Sequence, residues 1–236
     1  MGRIIAVANQ KGGVGKTTTA INLSSCLAEL GQRVLVVDTD PQGNTTSGLG
    51  VDKDAAELTV YQLMIGECQI RECIEHTQED REYILKKALA EVREEYDFVI
   101  LDCPPSLSML TVNAMTAADT VLVPIECEYY ALEGLSQLMH TISLVQNRLN
   151  PDLEMEGVVF TMYDARTNLS LQVVENVKEN LKQTVYKTII PRNVRLAEAP
   201  RHGLPINYYD SKSAGAESYR LLAQEVIHRG DDNWEY

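Results

Sequence analysis

Short apolar runs alternate along the chain with longer stretches in which apolar residues recur at helical spacing. A short apolar run that ends at a polar or turn residue is typical of a buried parallel strand. The predicted strands cover residues 4–8, 32–38, 96–102, 118–125, 155–162 and 186–191. The predicted helices cover residues 19–28, 82–95, 128–149, 169–181 and 213–229, with shorter ones near 58–64 and 70–74. This alternation predicts an α/β fold, a mostly parallel, twisted sheet with helices on both faces.

A glycine-rich turn joins the first predicted strand to the first predicted helix. Strand, glycine-rich turn and helix N-terminus together form a phosphate-binding loop, whose backbone N–H groups converge on an anion. In such a loop Lys16 reaches the terminal phosphates of a nucleotide, and the Thr17 hydroxyl ligates Mg²⁺. A chance turn with solvated lysines is the alternative, and the flanking elements argue against it. The predicted phosphate loop, residues 10–18, offers Lys11, Gly12, Gly13, Val14, Gly15, Lys16, Thr17 and Thr18 for nucleotide binding.

Two further predicted strands end in aspartates. Asp38 and Asp40 follow the second strand, and Asp102 ends the third. Because the carboxyl ends of parallel strands meet at one edge of a sheet, these side chains are expected to face the phosphate loop. We expect Asp38 and Asp102 to hold the magnesium shell, with Asp102 as the Walker B carboxylate, and Asp40 to orient the attacking water. After two prolines, Ser106 is expected to cap the next helix.

Composition and charge narrow the class of protein. The chain has 236 residues, 44% of them apolar, which suits one sizeable domain, and no apolar run approaches the ~20 residues that cross a bilayer. The first strand begins so early that no signal peptide is expected. Five cysteines without a CxxC pair favour reduced thiols in the cytoplasm over zinc or disulfides. A net charge of −13 argues against an extensive basic surface but allows a small basic DNA-binding face.

Several segments resemble the ParA/MinD ATPases, above all the small ParA proteins of the Soj type. They are KGGVGKTT, VDTDPQGNTTSGLG, DCPPSLSMLTVNA, ECEYYALEGLSQL, DARTNLSLQVVE and VYKTIIPRNVRLAEAP. The first matches the deviant Walker A loop of that family, with Lys11 as a second lysine at its front. The resemblance runs from Met1 to about Val226. It implies an ATPase that forms a homodimer around two ATP molecules, binds double-stranded DNA nonspecifically, and hydrolyses ATP slowly until a ParB-type protein stimulates it.

The resemblance also assigns individual residues. Lys11 matches the lysine that reaches the phosphates bound by the other subunit, and Asp40 matches a residue needed for hydrolysis. Pro191 and Asn193 match positions near the adenine, where a loop after the last strand would lie over the base. The arginines that match or lie close to DNA-contacting positions are Arg166, Arg195 and Arg201. For each arginine the alternative is an ordinary surface charge.

Two missing features and one short segment refine this interpretation. The acidic residues 230–236 lack the basic amphipathic helix with which MinD relatives bind membranes, so no membrane partner is expected. The first strand starts at residue 3, without the N-terminal DNA-reading helix-turn-helix of larger plasmid ParA proteins, so sequence-specific operator binding is not expected. Between His76 and Arg81, where family members have about twenty more residues, a strand is expected to be lost. We therefore expect one P-loop ATPase domain over residues 1–229 that partitions chromosomes or plasmids on the nucleoid; the alternative is a relative that positions a protein cargo without DNA.

Overall fold

The computed structural model describes residues 2–52, 82–106, 108–128, 131–181 and 185–229. The predicted helices near 58–64 and 70–74, the shortened segment after His76 and the acidic tail lie outside these ranges. Within them, no helix is long and apolar enough to cross a membrane.

Six strands in the described ranges form one sheet. In chain order they are β1 (Arg3–Val7), β2 (Val34–Asp38), β3 (Phe98–Asp102), β4 (Thr120–Glu126), β5 (Glu154–Tyr163) and β6 (Val185–Pro191). Their order across the sheet is β2-β3-β1-β4-β5-β6, and every pairing is parallel. All of their carboxyl ends therefore lie at the same edge. The strand order reverses around β1, and a crevice at such a reversal is where open α/β sheets bind ligands.

The helices cover both faces of this sheet, which confirms the predicted α/β architecture. They are α1 (Lys16–Glu29), α2 (Asn44–Gly48), α3 (Ile84–Ala90), α4 (Met109–Ala117), α5 (Ala131–Arg148), α6 (Asn168–Asn180), α7 (Val194–Glu198), α8 (Ile206–Tyr209) and α9 (Ala214–Ile227). Alternate residues of β1 point to opposite faces. Ile4 and Ala6 join the core formed with α3 to α6, whereas Ile5 and Val7 join the core formed with α1 and α9.

The structure corrects three local predictions. The helix expected over residues 82–95 is shorter: α3 ends at Ala90, and Arg93–Glu95 form a separate 3-10 turn. The prediction that Ser106 caps the next helix is wrong, because α4 has Ser108 at its N-cap position. Ser106 instead uses its carbonyl to accept a hydrogen bond from the Thr111 hydroxyl at 2.6 Å. After β6, where a loop was expected, the chain forms the short helix α7.

Candidate functional site

The phosphate loop occupies the turn between β1 and α1. Gly15 is the N-cap residue of α1, and both it (φ 85°) and Gly13 (φ 77°) adopt the left-handed conformation that glycine reaches without steric cost. The Thr161 hydroxyl of β5 donates to the Val14 carbonyl at 2.9 Å, which fixes the loop from the side of the sheet. The first N–H groups of α1 thus stand beside a glycine-lined turn, and the helix dipole favours an anion there.

Lys16, the first residue of α1, lies across this loop. Its Nζ donates to the Lys11 carbonyl at 2.9 Å, and the side chain is buried. Desolvation lowers the pKa of the Lys16 ammonium, and the nearby Asp102 and Asp40 carboxylates oppose that change. The ammonium is thus already positioned over the turn where nucleotide phosphates would lie.

Asp102 ends β3 opposite the phosphate loop and is completely buried. Its Oδ2 accepts hydrogen bonds from the hydroxyls of Thr17, at 2.9 Å, and Thr45, at 2.6 Å, whereas its buried Oδ1 has no hydrogen-bond partner among the residues that the structure describes. Burial raises the pKa of this carboxyl to about 6. A buried carboxylate oxygen without a donor is costly, and a water molecule held by Mg²⁺ would satisfy it. The residues present therefore fit a hydrated magnesium ion, for which the Thr17 hydroxyl would be the direct ligand.

Asp38 and Asp40 shape the turn between β2 and α2. Asp38 pairs in register with Asp102. Asp38 Oδ2 accepts from the backbone N–H of Thr46 at 2.9 Å and from its hydroxyl at 2.8 Å, and Asp38 Oδ1 accepts from the Asp40 N–H at 3.2 Å. Asp40 in turn accepts from the Gln42 N–H at 3.0 Å. The three aspartates predicted from sequence are thus gathered at one sheet edge. Through its hydrogen bonds with Thr46, Asp38 also fixes the position of α2.

No group of three His, Cys, Asp or Glu residues suited to a metal ion occurs in the ranges that the structure describes. A magnesium site of the phosphate-loop type does not need such a group, because Mg²⁺ usually keeps several waters and takes other ligands from substrate phosphates. The thiols of Cys26, Cys103 and Cys127 are free and buried. Cys103 is therefore a small residue of the core.

Lys11 extends from the front of the loop toward β4. Its Nζ lies 2.7 Å from Oε2 of Glu128 and 3.5 Å from Oε2 of Glu126, and 41% of its side chain is exposed. The hydrogen bond to Glu128 raises the pKa of Lys11. The backbone N–H of Lys11 donates to the Asn9 side chain at 3.0 Å, which fixes the start of the loop. The lysine is therefore held within its own subunit and is still accessible from outside.

Pro191 and Asn193 lie at the end of β6, on the same edge of the sheet. Pro191 is the last residue of β6 and pairs with Tyr163 of β5. The Asn193 side chain accepts a hydrogen bond from the Arg195 N–H at 2.8 Å and so caps α7. The segment expected to lie over the adenine is therefore the beginning of a helix.

The three candidate DNA-binding arginines follow β5 and β6 and are exposed. Arg166, whose side chain is 86% exposed, makes a two-pronged ion pair with Asp164 at 2.8 and 2.7 Å. This pair holds the pKa of Asp164 well below its usual range. Arg195 pairs with Glu198 at 2.8 Å and lies 3.4 Å from Asp210. Arg201 lies in the 3-10 turn after α7. The backbone N–H of Arg192 donates a hydrogen bond to the Tyr163 carbonyl, which connects the segment after β6 to the end of β5.

Comparisons with known proteins agree on one family. A family model described as an AAA domain matches residues 2–81 and 76–155. The chain is 53% identical to the sporulation initiation inhibitor protein Soj of Bacillus subtilis, over 98% of this chain and 100% of the relative. It is 50% identical to the chromosome partitioning protein ParA of Myxococcus xanthus, over 97% of this chain and 89% of the relative. Cobyrinic acid a,c-diamide synthase from Mycobacterium smegmatis, solved with bound ADP and magnesium, has a TM-score of 0.83 and 38% identity, covering 99% of this chain and 97% of that one.

The chain belongs to the Soj/ParA family of P-loop ATPases. In this Soj/ParA ATPase the structure adds partners that the sequence analysis did not single out. They are Thr45 and Thr46 on the aspartates, Glu126 and Glu128 on Lys11, and Thr161 on the phosphate loop. Thr45 and Thr46 directly follow the sequence DPQGN, and this position close to Asp38 and Asp40 is the sequence feature that could have indicated them as partners of the aspartates. The other partners come from distant segments and follow only from the fold.

Proposed function

We propose that this chain is an ATP-dependent dimerising ATPase that binds DNA nonspecifically and drives chromosome or plasmid partition. In this proposal a ParB-type protein stimulates hydrolysis, and the ATPase acts in the cytoplasm, on the nucleoid when ATP is bound. The observation that carries the nucleotide part is the hydrogen bond from Thr17 to Asp102, because it joins the phosphate loop to the carboxylate strand as a magnesium site requires. The identity to Soj and ParA proteins supports the partition part.

Each residue of the site has a defined task in the proposed reaction. The N–H groups of the phosphate loop and the Lys16 ammonium bind the phosphates, and Thr17 and Asp102 hold the magnesium shell. A bound magnesium ion would neutralise negative charge on the phosphate oxygens. Asp40 orients the attacking water. Lys11 of a second subunit completes the charge stabilisation, as an arginine finger does in related enzymes.

Dimerisation through Lys11 is tested by Lys11→Ala. We expect this variant to bind nucleotide yet to form no tight ATP-dependent dimer, as measured by light scattering after gel filtration. Lys16→Ala is the matched comparison, because it should lose nucleotide binding itself. A Lys11→Ala protein that still forms tight dimers with ATP would contradict the role of this lysine across the dimer.

DNA binding rests on the exposed arginines after β5 and β6. Arg166 and Arg195 are now paired with carboxylates of their own chain, and DNA phosphates would replace those partners. Such contacts are independent of sequence and weaken steeply as salt rises, because counterions must be released from the DNA. A few clustered arginines suffice for a protein whose net charge is −13.

The second candidate function is positioning of a protein cargo without DNA. The observation that favours it is the engagement of Arg166 and Arg195 by carboxylates, within a strongly acidic chain. Under this alternative the arginines stabilise loops and do not contact phosphates. ATP-dependent dimers would then form normally and leave DNA unbound.

Co-sedimentation with plain duplex DNA separates the two functions. We expect binding with ATP, none with ADP or without nucleotide, and steep loss of binding between low and moderate salt. Arg195→Glu and Arg166→Glu should weaken binding to all DNA sequences about equally. Arg33→Glu is the matched control and should leave DNA binding unchanged. Arg33 directly precedes β2, at the opposite edge of the sheet, and makes a similar exposed ion pair with Asp97. ATP-dependent dimers that do not sediment with DNA would instead support the cargo function.

A further inference from the structure

Thr45 links the helix α2 to the buried carboxylate of the magnesium site. Its hydroxyl donates to Asp102 Oδ2 at 2.6 Å, and both side chains are almost completely buried. Thr45 lies 57 positions before Asp102 in the chain, so the contact joins two separate segments. It is shorter than the 2.9 Å hydrogen bond by which Thr17 reaches the same oxygen.

Two hydroxyl donors on one oxygen fix the orientation of the carboxylate. With Oδ2 engaged by Thr17 and Thr45, the other oxygen of Asp102 is left without a partner among the described residues. That free oxygen is the one available to a water of the magnesium shell. Thr17 is itself the expected magnesium ligand, so Thr45 is the donor that holds Asp102 independently of the metal.

The neighbouring contacts extend this link to the hydrolysis residue. Thr46, next along α2, donates twice to Asp38, and the other oxygen of Asp38 accepts from the Asp40 N–H. Consecutive threonines thus connect α2 to two carboxylates at the ends of adjacent strands. The position of α2 and the geometry of the turn that carries Asp40 are therefore tied to the orientation of Asp102.

We propose that Thr45 is a positioning residue of the nucleotide site, whose hydroxyl orients Asp102 toward the magnesium shell and couples α2 to it. The inference rests on the proposed function, since it takes this site to bind a magnesium nucleotide. In this inference Thr45 is not itself a ligand of the nucleotide or the metal. Its effect passes through Asp102, as is common for hydrogen-bond partners of residues that hold metals.

The test compares nucleotide affinity with and without magnesium. Thr45→Val keeps the shape of the side chain and removes the donor. A fluorescent ADP analogue is titrated into each protein in excess Mg²⁺ and in EDTA. Mg²⁺ is expected to increase the affinity for the analogue, and the Mg²⁺ concentration that gives half of this increase should be roughly 10–100-fold higher in Thr45→Val, the usual effect of removing such a hydrogen-bond partner. In EDTA, Thr45→Val should bind the analogue normally.

A graded series keeps the test independent of any one variant. Thr45→Ser retains the hydroxyl and should behave as the unchanged protein, whereas Thr45→Cys, with its weak S–H donor, should lie between the serine and valine variants. Thr116→Val is the matched control. Thr116 is a completely buried threonine of α4 whose hydroxyl has no hydrogen-bond partner in the described part of the chain, so the loss of this hydroxyl should leave the magnesium requirement unchanged.

Three results would overturn the inference. An unchanged magnesium requirement in Thr45→Val and Thr45→Cys would show that the hydroxyl does not orient Asp102 for the metal. An equal loss of affinity in Mg²⁺ and in EDTA would assign Thr45 a purely structural role. If the unchanged protein gains no ADP affinity from Mg²⁺, the proposed magnesium-dependent function fails together with the inference. Only the first two results reject the role of Thr45 while leaving the proposed function intact.

Discussion

Lys11 donates a hydrogen bond to Glu128 within its own chain, with 2.7 Å between Nζ and Oε2. Glu126, the last residue of β4, lies 3.5 Å from the same ammonium and 3.8 Å from Arg192, so the lysine joins a small network of charges at the end of β4. In the proposed dimer Lys11 must instead reach a phosphate in the partner subunit. The contact with Glu128 therefore competes with dimerisation. Such a partly exposed pair is weak and screened by salt, which makes it a reversible restraint.

Glu128→Gln should favour ATP-dependent dimers. Removing the carboxylate charge frees Lys11, and we expect about a twofold to fivefold tighter dimer at low salt, consistent with the small energy of an exposed ion pair. The difference should disappear at high salt. Sedimentation velocity with a non-hydrolysable ATP analogue measures it. Glu133→Gln, an exposed glutamate in the first turn of α5, is the control. Weaker dimers in Glu128→Gln would mean that Glu128 helps to orient Lys11 for the partner.

The carboxylate and phosphate-loop residues were predictable because their signals are local. A strand that ends in aspartate and a glycine turn before a helix are visible in a few adjacent residues, and the structure has Asp102 at the end of β3 and Lys16 at the start of α1. The partners of these residues were not predictable in this way. Glu128 meets Lys11 only because β4 lies beside β1, and Thr45 meets Asp102 only because β2 and β3 are neighbours in the sheet. Strand order is a tertiary property that periodicity does not encode.

Asp102 should make the nucleotide-free protein less stable as pH rises. Burial raises its pKa from the ordinary 3.8 to about 6, so between these values the folded chain keeps a proton that the unfolded chain has released. Stability contributed by this group is therefore lost as pH rises from about 4 to about 6. We expect Asp102→Asn to be more stable than the unchanged protein at pH 7 by up to about 3 kcal/mol, from a shift of roughly two pKa units.

Urea unfolding without nucleotide, at pH 4 and at pH 7, measures this effect. The advantage of Asp102→Asn should be much smaller at pH 4, where the folded carboxyl is neutral and the unfolded carboxyl, close to its ordinary pKa of 3.8, is only about half ionised. Asp97→Asn is a useful contrast, because the Arg33 guanidinium lowers the pKa of Asp97 to about 2. That variant should gain no stability at pH 7. Equal stability of Asp102→Asn and the unchanged protein at pH 7 would show that burial of this charge is compensated.

Gly203 should tolerate a side chain less well than Gly31. Both have positive φ, 62° and 85°, so alanine at either position incurs backbone strain of about 1–2 kcal/mol. A Cβ on Gly203 would also lie 2.8 Å from Cα of Gly50, whereas a Cβ on Gly31 would meet no atom within 4 Å. Overpacking should therefore add about 1–3 kcal/mol to the cost of Gly203→Ala. Urea unfolding measures the free energy of unfolding of Gly203→Ala and Gly31→Ala. Equal decreases in the two variants would mean that the turns at Gly50 and Gly203 can move apart at little cost.

Glu156 should be the main electrostatic link between the C-terminal end of α9 and the sheet. Its buried carboxylate accepts from the Tyr186 hydroxyl at 2.9 Å and lies 3.2 Å from Arg229 and 3.7 Å from Arg3. Burial and the nearby carboxylate raise the pKa of Tyr186 well above its ordinary value. Glu156→Gln leaves two partly buried guanidinium groups without their anion, so we expect a loss of about 3 kcal/mol in urea unfolding. Glu154→Gln, at an exposed position of the same strand, should change stability by less than about 0.5 kcal/mol, and a similar loss in both variants would contradict the link.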